Sequence, residues 1–329
     1  MKKLRSLLLI LMIALLMAPI SINAYSEYLI PGGETVGIRL STKGILVVGL
    51  YKVNDIYPSK EAGIKVGDII TKIMDKEVTA ISEMQDILSD TSLTSIKVEF
   101  LRNDKTLTVY LTLLKNETGL LKTGLYVKDQ VNGVGTLTFI DPETKIFGAL
   151  GHEIIEKSSG QKIDINSGNI FRTEITGITR STKGTPGEKN AKFYSKNLFG
   201  SVYENTSKGI FGNYDAVLPN KDTLKIANYS DIKIGEAKIL TVLQGELIEE
   251  FSINILKIND SNSQKNKNLL FEITDERLLN ETGGIIQGMS GSPIIQNDKL
   301  IGAVTHVVVD DVTKGFGIYI RYMLEEAEN

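Results

Sequence analysis

Gly283-Gly284-Ile285-Ile286-Gln287-Gly288-Met289-Ser290-Gly291-Ser292-Pro293 is the stretch that sets the reading of this chain. A serine stands among glycines with a proline three places on. Apolar runs flank it: Ile285-Ile286 before, Ile294-Ile295 and Leu300 to Val304 after. Small residues let the backbone turn tightly and approach a ligand closely. A serine on such a turn projects its hydroxyl into solvent, and neighbouring N–H groups can converge on a developing oxyanion. Ser290 is therefore a candidate nucleophile. The alternative is an ordinary Gly-Ser turn between two strands.

A serine nucleophile needs a base and usually a third group that orients the base. Histidine suits the task because it titrates near neutrality, and the chain holds only His152 and His306. His152 follows the small-residue apolar run Phe147-Gly148-Ala149-Leu150-Gly151. His306 lies inside Ala303 to Val309. There is no Cys, which excludes disulfides and thiolate chemistry and leaves a zinc site poorly supplied. His152-Glu153-Ile154-Ile155-Glu156 misses the zincin helix motif by one residue, with Glu156 where the second His should stand. Neither a metal nor an organic cofactor is expected. A net charge of -3 argues against a nucleic-acid surface, and the ordinary hydrophobic content argues against disorder.

The length, 329 residues, suggests about two domains. Lys2, Lys3 and Arg5 precede an apolar run from Leu7 to Ile20, followed by Ser21-Ile22-Asn23-Ala24, the order of a secretory signal. The run is short of the ~20 residues of a membrane span. Residues 1–26 are expected to be a signal peptide or membrane anchor, cleaved or not, with the remainder outside the cytoplasm.

Residues 27–115 read as a compact block. Ile45 to Leu50 and Ile69 to Ile73 are strand-like, and Pro58 to Ile64 is a helical turn closed by Gly63. Ser82 and Gln85 have capping-box spacing at the start of a helix that carries Met84, Ile87 and Leu88 inward. Ile96, Val98 and Phe100, then Leu107, Val109, Leu111 and Leu113, alternate with polar residues about an Asn103-Asp104 turn, as in a hairpin with one buried face. Through Ala62-Gly63-Ile64-Lys65-Val66-Gly67-Asp68-Ile69-Ile70 the block resembles a PDZ domain. Such domains take an extended peptide onto a sheet edge. The resemblance puts the peptide-binding loop at Val36, Gly37 and Ile38. From residue 116 to 329, short apolar runs recur between turn residues, as in an all-β sandwich or barrel, with helical periodicity only from Tyr319 to Ala327. Asn259 to Asn268 reads as an exposed polar loop.

Ile30-Pro31-Gly32-Gly33, Gly148 to His152, Thr274-Asp275, Thr282 to Pro293 and Leu300 to Val307 together resemble the stage IV sporulation protein B family of serine peptidases. The resemblance implies a mainly β chain: a PDZ domain followed by a chymotrypsin-like, double β-barrel peptidase domain. It implies His152 as general base, Ser290 as nucleophile and Asp275 as acid. Asp215 stays open as acid, since it lies nearer midway between His152 and Ser290. Gly288 to Pro293 looks like the serine loop of chymotrypsin-like enzymes, whose oxyanion hole would be the N–H groups of Gly288 and Ser290. Met289 departs from that loop by replacing an aspartate, which removes an ion pair with a new N-terminus. Gly302 to His306 would be the strand that pairs with substrate, making His306 a wall of the cleft. The resemblance further implies an endopeptidase in endospore-formation signalling, in the space between forespore and mother cell. It would cut a protein of a membrane complex and itself near the N-terminus. The PDZ domain would take a peptide ligand, the chain's own segment among the candidates. The rival reading is a non-catalytic extracytoplasmic scaffold.

Overall fold

The computed structural model describes residues 26–160, 162–259 and 266–328. The expected signal or anchor segment lies outside these residues, as does the middle of the expected loop at 259–268; its end, Asn268, is fully buried. The chain is mainly β. Its first part runs β1 (Tyr28–Pro31), β2 (Thr35–Leu50), α1 (Pro58–Glu61), β3 (Ile69–Ile73), β4 (Lys76–Glu77), α2 (Ile81–Ser89), β5 (Ser95–Arg102), β6 (Lys105–Thr112), β7 (Leu114–Lys115) and β8 (Leu121–Lys122). The second half of β2 with β3, β5 and β6 makes an antiparallel sheet over a core that includes Ile45, Val47, Ile70, Phe100 and Met84.

Local chemistry explains these elements. The β5–β6 hairpin turns at Asn103 and Asp104, both at positive φ, which these short polar side chains tolerate. On β5 the expected alternation holds, with Ile96, Val98 and Phe100 buried. On β6 only Leu111 is buried, because the strand lies at the sheet edge, and Leu107 is exposed. Helix α2 begins one residue before Ser82, so the capping partner is Glu83. Its carboxylate accepts from the N–H groups of Thr79 and Ala80 at 2.7 and 3.0 Å. Those bonds, with the exposed carboxylate still in water, hold the Glu83 pKa below its usual value.

The rest of the chain runs β9 (Leu125–Ile140), β10 (Ile146–Ala149), β11 (Ile165–Thr179), β12 (Glu188–Thr206), β13 (Gly209–Tyr214), β14 (Leu224–Ile226), β15 (Gly235–Val242), β16 (Ile248–Ile258), β17 (Leu269–Ile273), α3 (Glu276–Thr282), β18 (Pro293–Gln296), β19 (Lys299–Val307), β20 (Lys314–Tyr319) and α4 (Ile320–Ala327). Antiparallel pairings lead from β9 to β2, β11, β12, β13, β10 and back to β9. A second circuit leads from β15 to β16, β17, β20, β19, β18 and back to β15. Each encloses its own apolar core, around Ile38, Leu137 and Phe147 in the first and Phe251, Phe271 and Ile294 in the second. The amphipathic α4 buries Met323 and Leu324 in a further cluster with Leu29 and Phe139. Among the described residues no helix is long and apolar enough to cross a membrane.

Strand β2 belongs to two sheets. Thr35 to Ser41 pair with Thr136 to Gln130 of β9 on one edge and Val36 to Thr42 with β11 on the other, whereas Leu46 onward pairs with Lys128 to Leu125 of β9, and Ile45 and Leu46 pair with β3. The composition break after residue 115 therefore does not coincide with the division of the sheets. Val36, Gly37 and Ile38 need correction as a peptide-binding loop: both edges of this segment are hydrogen-bonded, and Val36 and Ile38 are fully buried. A peptide adds to a sheet only where backbone groups are unpaired.

Candidate active site

Ser290 leaves α3 by a turn that glycine makes possible. Asp275 caps α3, accepting from Leu278 N–H at 2.9 Å, and Gly283 ends the helix in the left-handed region at φ 71°. The chain then passes Ile285 and Ile286 into the second core, and Met289 is buried there as well. Strand β9 of the first circuit holds the serine turn from the other side. Thr136 N–H donates to the Ser290 carbonyl at 2.8 Å, the Thr136 hydroxyl to the Gly288 carbonyl at 2.7 Å, and the Thr138 hydroxyl to the Gly291 carbonyl at 2.8 Å. A Cβ on Gly291 would lie 2.0 Å from the Thr136 carbonyl oxygen, so the approach of the two circuits requires glycine here.

His152 is delivered by a strained turn after β10. Leu150 stands at φ 69°, unusual for a bulky residue, and Gly151 follows at φ 70°. Gly151 packs against the Thr305 methyl group, which brings the His152 ring to the ring of His306, 5.0 Å between centroids. A cleft of about 930 Å³ between the circuits is lined by His152, Glu188, Lys189, Gln287, Gly288 and Ser290, among others. His152 and Ser290, remote along the chain, thus share one cleft.

The hydrogen bonds define a resting arrangement. The Ser290 hydroxyl donates to the Thr305 carbonyl at 2.8 Å. His152 Nδ1 lies 2.8 Å from the Glu153 carbonyl oxygen. A carbonyl only accepts, so Nδ1 carries the proton and the Nε2 lone pair is left for a substrate or hydroxyl. Burial lowers the His152 pKa below its usual value, against a smaller raising effect of the Glu153 carbonyl and carboxylate. The ring is therefore neutral at pH 7. His306 is pushed down to about 4 by burial, with His152 and Lys267 adding repulsion, and its buried Nδ1 has no partner among the described residues.

Neither expected acid bonds to His152. The Asp275 carboxylate is engaged by Leu278 N–H and, at 3.5 Å, by Ser252 N–H. Asp215 is exposed, and its own N–H donates to the Phe199 carbonyl. The assignment of Asp275 as the acid of a triad is thus corrected for this arrangement: its carboxylate caps α3, and the Glu153 carbonyl fixes the His152 tautomer. The Gly288 and Ser290 N–H groups have no acceptor among the described residues, which leaves both for an incoming oxygen. The strand expected to pair with substrate is also revised. Gly302 to Val304 are bonded on both edges, and only His306 and Val307 extend past β18.

Glu156 is buried and accepts from Ser158 N–H, Ser159 N–H and Lys128 Nζ, so it anchors a loop. Among the described residues no three His, Asp or Glu side chains converge as a metal site. Sequence reading missed Thr136, Thr138, the Leu150 turn and Lys189. Only the first two leave a trace, as polar residues in the otherwise apolar end of β9. A second groove, of about 540 Å³, lies between α2 and the start of β9, with Ile81, Met84, Leu88, Leu121, Leu125 and Val127 on its walls.

A family model described as SpoIVB peptidase S55 matches residues 119–324, and one described as a PDZ domain matches residues 35–113. No curated protein matches the chain. Among solved structures, the inactive form of Rv3671c protease is 16% identical over 59% of this chain and 84% of its own, with a TM-score of 0.34. The active form, from M. tuberculosis, is 14% identical over 58% and 71%, with a TM-score of 0.32. The PDZ domain of the SdrC-like protein Lmo2051 from Listeria monocytogenes is 21% identical over 27% of this chain and 93% of its own, with a TM-score of 0.24.

Proposed function

The chain belongs to the SpoIVB peptidase S55 family and is a serine peptidase, and from that premise we propose that it is an exported endopeptidase whose reaction runs through Ser290 and His152. The observation that carries the proposal is that His152, whose Nδ1 faces the Glu153 carbonyl, and Ser290 line the same cleft between the two strand circuits. We read those circuits as the two barrels of a chymotrypsin-like peptidase. On substrate binding the Ser290 hydroxyl leaves the Thr305 carbonyl and attacks the peptide carbonyl. His152 Nε2 takes its proton and returns it to the leaving amine. The Gly288 and Ser290 N–H groups hold the oxyanion, and water releases the acyl-enzyme. Glu153, through its backbone carbonyl, does the orienting for which an aspartate is the usual choice.

The wider setting is likewise our reading. The basic-apolar-small order of residues 1–26 supports export or anchoring. The family supports a protein substrate within a membrane complex, cleavage near the chain's own N-terminus, and action between forespore and mother cell. A peptide ligand of the PDZ domain belongs in the groove beside α2, where β9 residues 125–128 pair on one edge only among the described residues.

Incubation of the full chain beside its Ser290→Ala variant tests the chemistry. The native chain is expected to shorten itself and to take up an organophosphate at Ser290, and the variant to do neither. Equal processing of both chains, with no labelling of the native serine, refutes the assignment.

A further inference from the structure

We infer that Lys189 is a positioning residue for the oxyanion loop: Gly288 is seated on its methylene chain, and its amine fixes that seat to both strand circuits. The inference rests on the reading that the Gly288 N–H faces the oxyanion.

The geometry builds the seat from three contacts. Lys189 is the second residue of β12, and its N–H donates to the Gln287 carbonyl at 3.0 Å. A Cβ placed on Gly288 would lie 3.0 Å from Lys189 Cδ and 3.2 Å from its Cβ and Cγ, so the Gly288 backbone rests directly on the side chain. Beyond that contact, Nζ donates to the Thr35 hydroxyl of β2 at 3.1 Å and to the Thr241 hydroxyl of β15 at 2.7 Å. One anchor belongs to each circuit. The Gly288 carbonyl in turn accepts from the Thr136 hydroxyl of β9 at 2.7 Å.

The tip between β11 and β12 follows the same loop for several residues. Ser181 donates its hydroxyl to the Ile285 carbonyl and accepts from Gly187 N–H, both at 2.7 Å, and Gln287 N–H donates to the Gly187 carbonyl at 2.8 Å. Met289 is fully buried among apolar side chains, so the loop carries no ionic latch of its own. Lys189 ties this assembly to the interior. It is 5% exposed, and among the described residues no carboxylate pairs with it. Burying a cation with only hydroxyl partners weakens a fold. The role of Lys189 is therefore to be sought in placement.

Lys189→Met keeps the methylene length and removes the amine. Four quantities are measured on the full chain: its melting temperature, kcat and KM for a peptide p-nitrophenyl ester, and affinity for a peptide boronic acid, whose adduct with Ser290 mimics the tetrahedral oxyanion. The expected result is an unchanged or raised melting temperature, KM within about threefold, and kcat and boronate affinity each lower by about tenfold. Thr241→Val, which removes the shorter anchor, is expected to lower kcat by about threefold at unchanged KM, and it serves if the lysine variant does not fold. Full kcat and full boronate affinity in both variants overturn the role of Lys189 alone. A native chain that hydrolyses the ester yet binds no boronate refutes the oxyanion reading beneath it.

Discussion

Lys189→Met also makes a prediction about stability, whose size follows from burial. The amine has its pKa lowered from 10.5 to about 7, and desolvation is the cause. Between those values the unfolded chain holds the proton and the folded chain does not. Stability therefore rises with pH across this window, by at most about 1.4 kcal/mol per pH unit. The unfavourable contribution is fully present below pH 7 and is relieved as pH approaches 10.5. Its ceiling is (10.5 − 7) pH units, about 5 kcal/mol at about 1.4 per unit. Methionine removes that contribution but also gives up two hydrogen bonds to threonine hydroxyls, about 1 kcal/mol each. The variant should therefore be more stable than the native chain by about 3 kcal/mol near pH 7 and lose the whole advantage at about pH 9, about two units higher at about 1.4 kcal/mol per unit. Urea denaturation of both proteins at half-unit steps from pH 7 to pH 10 measures the difference, and every other titrating group is common to the two. A difference that stays constant across the range refutes the claim that Lys189 is uncharged in the folded chain above neutrality.

Three further predictions concern the site. Asp275→Asn should keep the cap of α3 and most of the activity, whereas Asp275→Ala should cost about 1 kcal/mol of stability; a loss of activity in the asparagine variant of the size expected for a triad acid restores Asp275 to that role. Burial lowers the His152 pKa, so the neutral base persists below the usual histidine range, and kcat/KM should begin its acid fall below pH 6.5; a midpoint above 7 in the pH-rate profile contradicts this. Gly291→Ala would drive its methyl group into the Thr136 carbonyl from a backbone at φ 92°. It should destabilise the chain by roughly 2–4 kcal/mol, read from the denaturation midpoint, and a change under about 0.5 kcal/mol speaks against the close packing of the two circuits at that point.

What the sequence made legible was local. The β5–β6 hairpin announces itself by alternation about Asn103-Asp104, and α1 by Pro58 at its start and Gly63 beyond its end. The serine turn is readable because glycine positions constrain backbone shape directly. The double membership of β2 was not readable. Its apolar alternation is the same whichever sheet it joins, and register across two sheets is settled by partners far away. Asp275 shows a different difficulty. Its place just before α3 is an ordinary N-cap signal, yet a carboxylate near a serine turn also fits a triad, and only side-chain direction separates the two. Lys189 stands between Glu188 and Asn190 in a polar stretch that reads as exposed; its burial comes from the packing of β12 against the serine loop.

Ser290 and His152 each engage a backbone carbonyl, Thr305 and Glu153 respectively, and the two engagements differ in consequence. The bond at His152 is compatible with catalysis, because it leaves Nε2 basic throughout. The bond at Ser290 is not compatible with the proposed reaction, because the proton that Nε2 would take is donated to the Thr305 carbonyl. A rotation about the Ser290 side chain, which frees the hydroxyl from the Thr305 carbonyl, is the first step the proposed reaction requires. Thr305 immediately precedes His306 and Val307, the part of β19 that extends past β18. A peptide pairing there would lie next to Thr305, whose carbonyl holds the Ser290 hydroxyl. Substrate binding at that edge is thus expected to favour the rotation.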